Sequence, residues 1–183
     1  MFKILQNKRI IFFDGDGTLW YPKSTKHRVA PHWIYKDLKI GQKFLDHLVI
    51  IPSVLKTLKE LKHRDFIMII ISTHPHRPKI AHALLKEKIS YFNLEGYFEE
   101  FYASRDYPEG KGEVIARVLK KKKIPKSHAL MIGDSYAYDY LSAKKVGVDS
   151  ILIKSEYLKP EGKRVKKVIS QLSDILDVLP KSR

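Results

Sequence analysis

The sequence predicts a doubly wound, Rossmann-like α/β fold on a parallel sheet, and three observations carry that expectation. Short apolar runs alternate with amphipathic stretches along the whole chain, the pattern of strands and helices taken in turn. The length of 183 residues suits one core, since single domains run to about 100–200 residues. With 44% hydrophobic and 11% aromatic residues, the chain can fill that core rather than remain a disordered polar chain.

Residues 10–13, Ile-Ile-Phe-Phe, are the first strand. Residues 20–47 break the alternation: they have no apolar period and carry two prolines. They read as an insertion after the first strand, a flap or small hairpin serving as a minimal cap within a single domain spanning 1–183. A helix follows, with Val54, Leu55, Leu58 and Leu61 on one face and Pro52 where a first turn tolerates it. Residues 66–71 are the second strand, then a helix carries Ile80, Leu84 and Leu85, and residues 100–103 are a third strand of poorer apolar content. Val114, Ile115, Val118 and Leu119 mark the next helix, ending in Lys120 to Lys123, where positive charge suits the helix dipole, and stopped by Pro125. Residues 129–132 and 150–153 complete five strands. From Val165 to Leu179 apolar residues recur every three or four positions, which predicts a last helix over an edge or face of the sheet.

Composition excludes several classes of protein. The absence of cysteine removes disulfides, thiolate nucleophiles and cysteine-ligated metal centres. The longest apolar run, residues 66–71, is far short of the roughly 20 residues that cross a bilayer, and the first nine residues lack a signal-peptide core. The expected location is cytoplasmic, with no membrane partner. The net charge of +15 has two readings: attraction for a polyanion such as nucleic acid, or a lysine-rich solvated surface like that of heat-adapted proteins. Scattered lysines with few interleaved aromatics favour the second. Within the insertion, Lys23, Lys26, Arg28, Lys36, Lys39 and Lys43 outnumber Asp37 and Asp46, a bias that would draw anions.

The chemistry-bearing residues fall at strand ends. Asp14-Gly15-Asp16-Gly17-Thr18 follows the first strand, and in open parallel sheets the ligand crevice lies beyond the strands' carboxyl ends. Ser72 and Thr73 follow the second strand, Lys111 opens the helix after the third, and Gly133-Asp134 follows the fourth, with Asp139 five residues on. Carboxylates, a hydroxyl and a cation on one rim are what phosphoryl transfer needs: a nucleophile, an acid/base, charge neutralisation and hard oxygen ligands for Mg²⁺. Other roles stay open. Ser72 caps the following helix or, as alternative to Thr73, supplies the hydroxyl; Asp139 is a first-turn acid or part of the site. His74 and His76 touch substrate or are exposed loop residues; Trp20 stacks on substrate or anchors the insertion.

These four motifs, in this order, resemble those of the haloacid dehalogenase superfamily. The resemblance implies that Asp14 forms an aspartyl-phosphate and that Asp16 protonates the leaving oxygen and then activates water. It implies that Ser72 holds a phosphoryl oxygen, with Lys111 in the third motif. It also implies Mg²⁺ held by the Asp14 carboxylate, the Asp16 carbonyl and Asp134, supported by Asp139. Thr18 would orient the loop; Thr18, Trp20, Thr73 and His74 are the expected substrate contacts. Thr18-Leu19-Trp20, the small insertion and Tyr107-Pro108-Glu109-Gly110-Lys111 are most similar to the magnesium-dependent phosphatase family. The chain departs from that family at Gly133-Asp134, where two adjacent aspartates are usual. The expected function is Mg²⁺-dependent hydrolysis of a phosphomonoester, on a small molecule or a phosphoprotein. The alternatives are a nucleic-acid-end phosphatase or nucleic-acid-binding protein, and a phosphoacceptor signalling domain.

Overall fold

The computed structural model describes residues 5–104, 110–158, 165 and 167–181. In chain order its elements are β1 (Ile10–Phe13), β2 (Trp20–Pro22), β3 (Leu48–Ile50), α1 (Val54–His63), β4 (Ile67–Thr73) and α2 (Pro78–Tyr91), followed by β5 (Glu100–Ser104), α3 (Lys111–Lys122), β6 (Ala129–Gly133), α4 (Ser142–Lys145), β7 (Asp149–Ile153) and β8 (Val168–Ile169). Six strands form one sheet in the order β5-β4-β1-β6-β7-β8, and every pairing in it is parallel.

Sequence explains why β1 is central. Its four residues are all buried, as a strand covered on both faces must be. Ile11 and Phe13 pack with α1, α2 and the 172–179 segment, whereas Ile10 and Phe12 pack with α3 and α4. Helices therefore cover both faces, and the strand order runs outward from β1 through β4 to one edge and through β6 to the other. That is the switch point at which an open sheet leaves a crevice above its strand ends.

Two expectations change. The predicted last helix is a two-residue strand, β8, paired with β7, and a separate 3-10 turn, Leu172–Asp177. Gln171 and Asp174 form a capping box that starts this turn afresh, so no helix runs through from Val165. The β-branched Val168 and Ile169 suit the open edge of β7 better than a helix. On α2 the buried face is Ala81, Leu85, Lys88 and Ile89, while Ile80, expected inside, is half exposed.

Residues 20–50 form the antiparallel pair β2 and β3, with 3-10 turns at Lys26–Arg28, Pro31–Tyr35 and Gly41–His47 between them. Ile34, Phe44 and Leu48 are buried against the main core, which anchors the stretch. Its six basic residues at 23, 26, 28, 36, 39 and 43 are exposed. Among the described residues, no helix is long and apolar enough to cross a membrane.

Candidate active site

β1 delivers Asp14 to the crevice, where the Asp14 N–H still donates to Ile132 O at 2.9 Å and so continues the sheet ladder. The chain then turns tightly: Leu19 N–H returns to Gly15 O at 2.8 Å, and Gly17 takes a left-handed φ of +85°. A side chain at Gly17 is excluded twice, by that φ and by Asp134 Oδ2, which would lie 2.0 Å from its Cβ. Gly133 is needed for the second of these reasons alone, since a Cβ there would meet Asp139 Cγ at 2.1 Å.

Lys111, the first residue of α3, is buried and bridges two carboxylates, Asp14 Oδ1 at 2.5 Å and Asp139 Oδ1 at 2.6 Å. Asp139 is held from its other oxygen by the N–H groups of Asp134 and Ser135 at 3.1 and 2.9 Å. Tyr157 donates its hydroxyl to Asp134 Oδ2. Asp14, Asp134 and Asp139 each offer an oxygen within 4.8 Å of the others. One lysine bridges two of these three crowded acids, and the all-oxygen donor set suits a hard divalent cation.

Burial raises Asp14 well above the usual carboxylate range, and repulsion from Asp139 and Asp134 adds to it against the pull of Lys111. Burial and then Asp139 push Asp134 up to about 7. A carboxyl with a raised folded pKa binds its proton more readily in the folded chain, so its contribution to stability rises as pH falls. Melting temperatures of metal-free protein should therefore climb between pH 8 and pH 5. A flat or inverted profile would contradict the crowding of these acids.

Asp16 is held by different groups. Its Oδ1 accepts from Trp20 Nε1 at 2.9 Å and from the Tyr35 hydroxyl at 2.5 Å; its Oδ2 accepts from Lys88 Nζ at 3.0 Å. Burial would raise this carboxyl, but the Lys88 ammonium, the His32 ring and these hydrogen bonds outweigh it and hold it down to about 2. Lys88 and Tyr35 are absent from the sequence-based site, as are His32 and Tyr157.

A cavity of about 270 Å³ opens at these residues. Asp14, Asp16, Thr73, Lys111 and Asp134 line its floor, and Ala30, Pro31, His32, Tyr136, Tyr138, Tyr157 and Leu158 its walls. Four expected contacts are not on its lining. Ser72 is buried with its Oγ near Gly15 of the loop and without a hydrogen-bond partner among the described residues, whereas Thr73, whose Oγ1 is 3.4 Å from Ser104 Oγ, lies on the lining. Thr18 is wholly buried beneath the loop. Trp20 is wholly buried, stacked on Phe92 at 5.8 Å, and its Nε1 donates to Asp16 Oδ1. His74 lies against Tyr35 at 4.3 Å, and burial with the nearby Lys88 charge lowers it to about 3, so it is neutral. The expected Tyr107, Pro108 and Glu109 lie outside the described residues.

A family model described as haloacid dehalogenase-like hydrolase matches residues 21–153. A phosphoglycolate phosphatase of Vibrio vulnificus is 28% identical over 140 residues, 74% of this chain and 58% of that one. A Caldanaerobacter subterraneus protein that carries the name of a pyrophosphatase is 37% identical over 73 residues, 39% of this chain and 33% of that one. The matches thus span less than two thirds of these relatives' length. Among solved structures, a HAD phosphatase from Thermococcus onnurineus has a TM-score of 0.67 at 16% identity, covering 93% of this chain and 97% of that one. A haloacid dehalogenase-like family protein from Streptococcus pneumoniae has a TM-score of 0.68 at 16% identity, covering 93% and 98%. These two likenesses are of fold. Since the family match takes in most of the chain and the fold agrees with it over nearly the whole length, the chain belongs to the haloacid dehalogenase-like hydrolase family.

Proposed function

We propose that this protein hydrolyses phosphomonoesters with Asp14 as the nucleophile. The observation that carries the reading is the Asp14 carboxylate at the crevice floor, with the Lys111 ammonium 2.5 Å from one of its oxygens. An Asp14 oxygen attacks phosphorus, the ester P–O bond breaks, and the leaving oxygen takes its electron pair together with a proton carried by Asp16. Lys111 offsets charge on the attacking group, and Thr73 donates its hydroxyl to a phosphoryl oxygen. Water then attacks the phosphorus of the Asp14 phosphoryl group, giving its proton to Asp16, and Asp14 regains its carboxylate. Three donors hold Asp16 ionised and fixed in place for this second half, at a cost in basicity, and carrying a proton to the leaving oxygen in the first half requires one donor to let go.

Asp14 and Asp134, with the Asp16 carbonyl and supported by Asp139, are the groups that would hold Mg²⁺. The ion would supply charge neutralisation on the phosphoryl oxygens when bound. The names of the two curated relatives and the crevice acids support this reading together.

Release of inorganic phosphate from a panel of sugar phosphates, nucleotides, a phosphotyrosine peptide and 3′-phosphorylated oligonucleotides tests it. At least one member should be hydrolysed with Mg²⁺. Chelation should cost at least about 100-fold, and Ca²⁺, with its larger and looser shell, should restore little. No phosphate from any member, or full turnover after exhaustive metal removal, would overturn the proposal.

A further inference from the structure

We infer that Lys88 and Tyr35 are positioning residues for Asp16, fixing its Oδ2 as the oxygen that takes the proton from water when the Asp14 phosphoryl group is hydrolysed. The inference rests on the phosphatase reading above and extends it to two side chains outside the family's motifs.

Lys88 is wholly buried on α2, on the face otherwise made by Ala81, Leu85 and Ile89. Taking an ammonium out of water is costly, and an apolar side chain of similar length would fill such a position as well or better. Packing therefore does not account for a lysine here. Its Nζ lies 3.0 Å from Asp16 Oδ2 and 2.6 Å from the Tyr35 hydroxyl, over the rings of Tyr35 at 4.6 Å and Trp20 at 5.5 Å.

Tyr35 closes the arrangement. Its hydroxyl accepts from Lys88 and donates to Asp16 Oδ1, so one oxygen ties the lysine to the carboxylate. Oδ1 also accepts from Trp20, and a carboxylate oxygen has two lone pairs. Both are filled, so a proton reaching Asp16 must go to Oδ2, the oxygen whose direction Lys88 sets. Tyr35 ends the Pro31–Tyr35 turn, and Pro31 and His32 in that turn wall the crevice. Asp16's orientation is thus coupled to the insertion's seat over the site.

In the step served, the water oxygen bonds to phosphorus and its proton passes to Asp16 Oδ2. The bond from phosphorus to the Asp14 oxygen breaks, and its electron pair returns to the Asp14 carboxylate.

Lys88→Met and Tyr35→Phe, assayed in the whole protein with p-nitrophenyl phosphate, test this, because that leaving group departs without a proton. Formation of the phosphoenzyme should be unimpaired and its hydrolysis slow. A burst of p-nitrophenolate approaching one per site should precede a kcat lowered roughly 10–100-fold for Lys88→Met and less for Tyr35→Phe. KM should fall in parallel, leaving kcat/KM nearly unchanged, and acid quench should trap phosphate on Asp14. A prop for the fold would instead lower kcat/KM with no burst, and that result, or unaltered kcat in both variants, overturns the inference. Should Lys88→Met fail to fold, Tyr35→Phe, which loses one oxygen, decides alone. If the unmutated protein releases no p-nitrophenolate and no phosphate from any ester, the phosphatase reading falls and takes this one with it. If it turns over through Asp14 while both variants lose kcat/KM, only this inference fails.

Discussion

Asp14→Asn is expected to lower phosphate release by roughly four orders of magnitude, to the background of the preparation, while the protein melts within a few degrees of the unmutated chain. The amide oxygen is a poor nucleophile and carries no charge to attract a cation. Stability should survive for a reason visible in the site. Burial and the charges of Asp139 and Asp134 already disfavour an ionised Asp14, so removing its charge relieves burial cost and repulsion that offset the lost attraction to Lys111. Lys111 keeps its second carboxylate, Asp139, at 2.6 Å. Phosphate release by a purified Asp14→Asn protein, checked by a folding probe such as near-ultraviolet circular dichroism, measures both halves. Turnover at the unmutated rate would remove Asp14 as nucleophile, and a collapsed fold would show that the carboxylate holds the loop together.

The parallel sheet was readable because its inner strands are buried on both faces, so 10–13, 129–132 and 151–153 appear as continuous apolar runs with no alternation to confuse them. The acids were readable because crevice geometry puts whatever follows such a strand at the site. Where expectation failed, two structures shared one pattern. Apolar spacing from Val165 to Leu179 satisfies a helix, yet the same residues serve a short edge strand and a capped turn. Ser72 and Thr73 are adjacent on a strand, so which one meets the crevice depends on a pleat that spacing alone does not reveal. Lys88 was hidden differently. Hydropathy assigns lysine to solvent, and the buried face at 81, 85, 88 and 89 emerges only if Lys88 is allowed inside. Its partners Asp16 and Tyr35 lie 72 and 53 residues away, so no local signal joins them.

Lys111→Met should lose both stability and activity, and should regain stability in acid. Met matches the length of the lysine stem, so packing changes little, but two carboxylates lose the cation between them. Breaking a buried ion pair from one side costs about 3–5 kcal/mol, which in a chain of this size lowers the melting temperature by roughly 10 °C. In the unmutated protein, burial weakens the Lys111 ammonium, but Asp139 and Asp14 more than restore it, so it remains charged throughout the working pH range. Without it, Asp14 would resist ionisation further. Folded carboxyls with raised pKa bind protons that the unfolded chain releases, so stability falls as pH rises and returns as pH drops. Between pH 8 and pH 5 the melting temperature of Lys111→Met should therefore climb more steeply than that of the unmutated protein. Turnover should fall at least about 1,000-fold, since the nucleophile loses its orienting partner and the transition state loses a buried cation. An exposed lysine would give none of this: its replacement changes stability by no more than about 0.5 kcal/mol and leaves the pH profile alone. Matching melting curves and rates for the two proteins would return Lys111 to the other 34 basic residues of a chain with Lys+Arg 35, and would leave Asp14 without the partner on which its role depends.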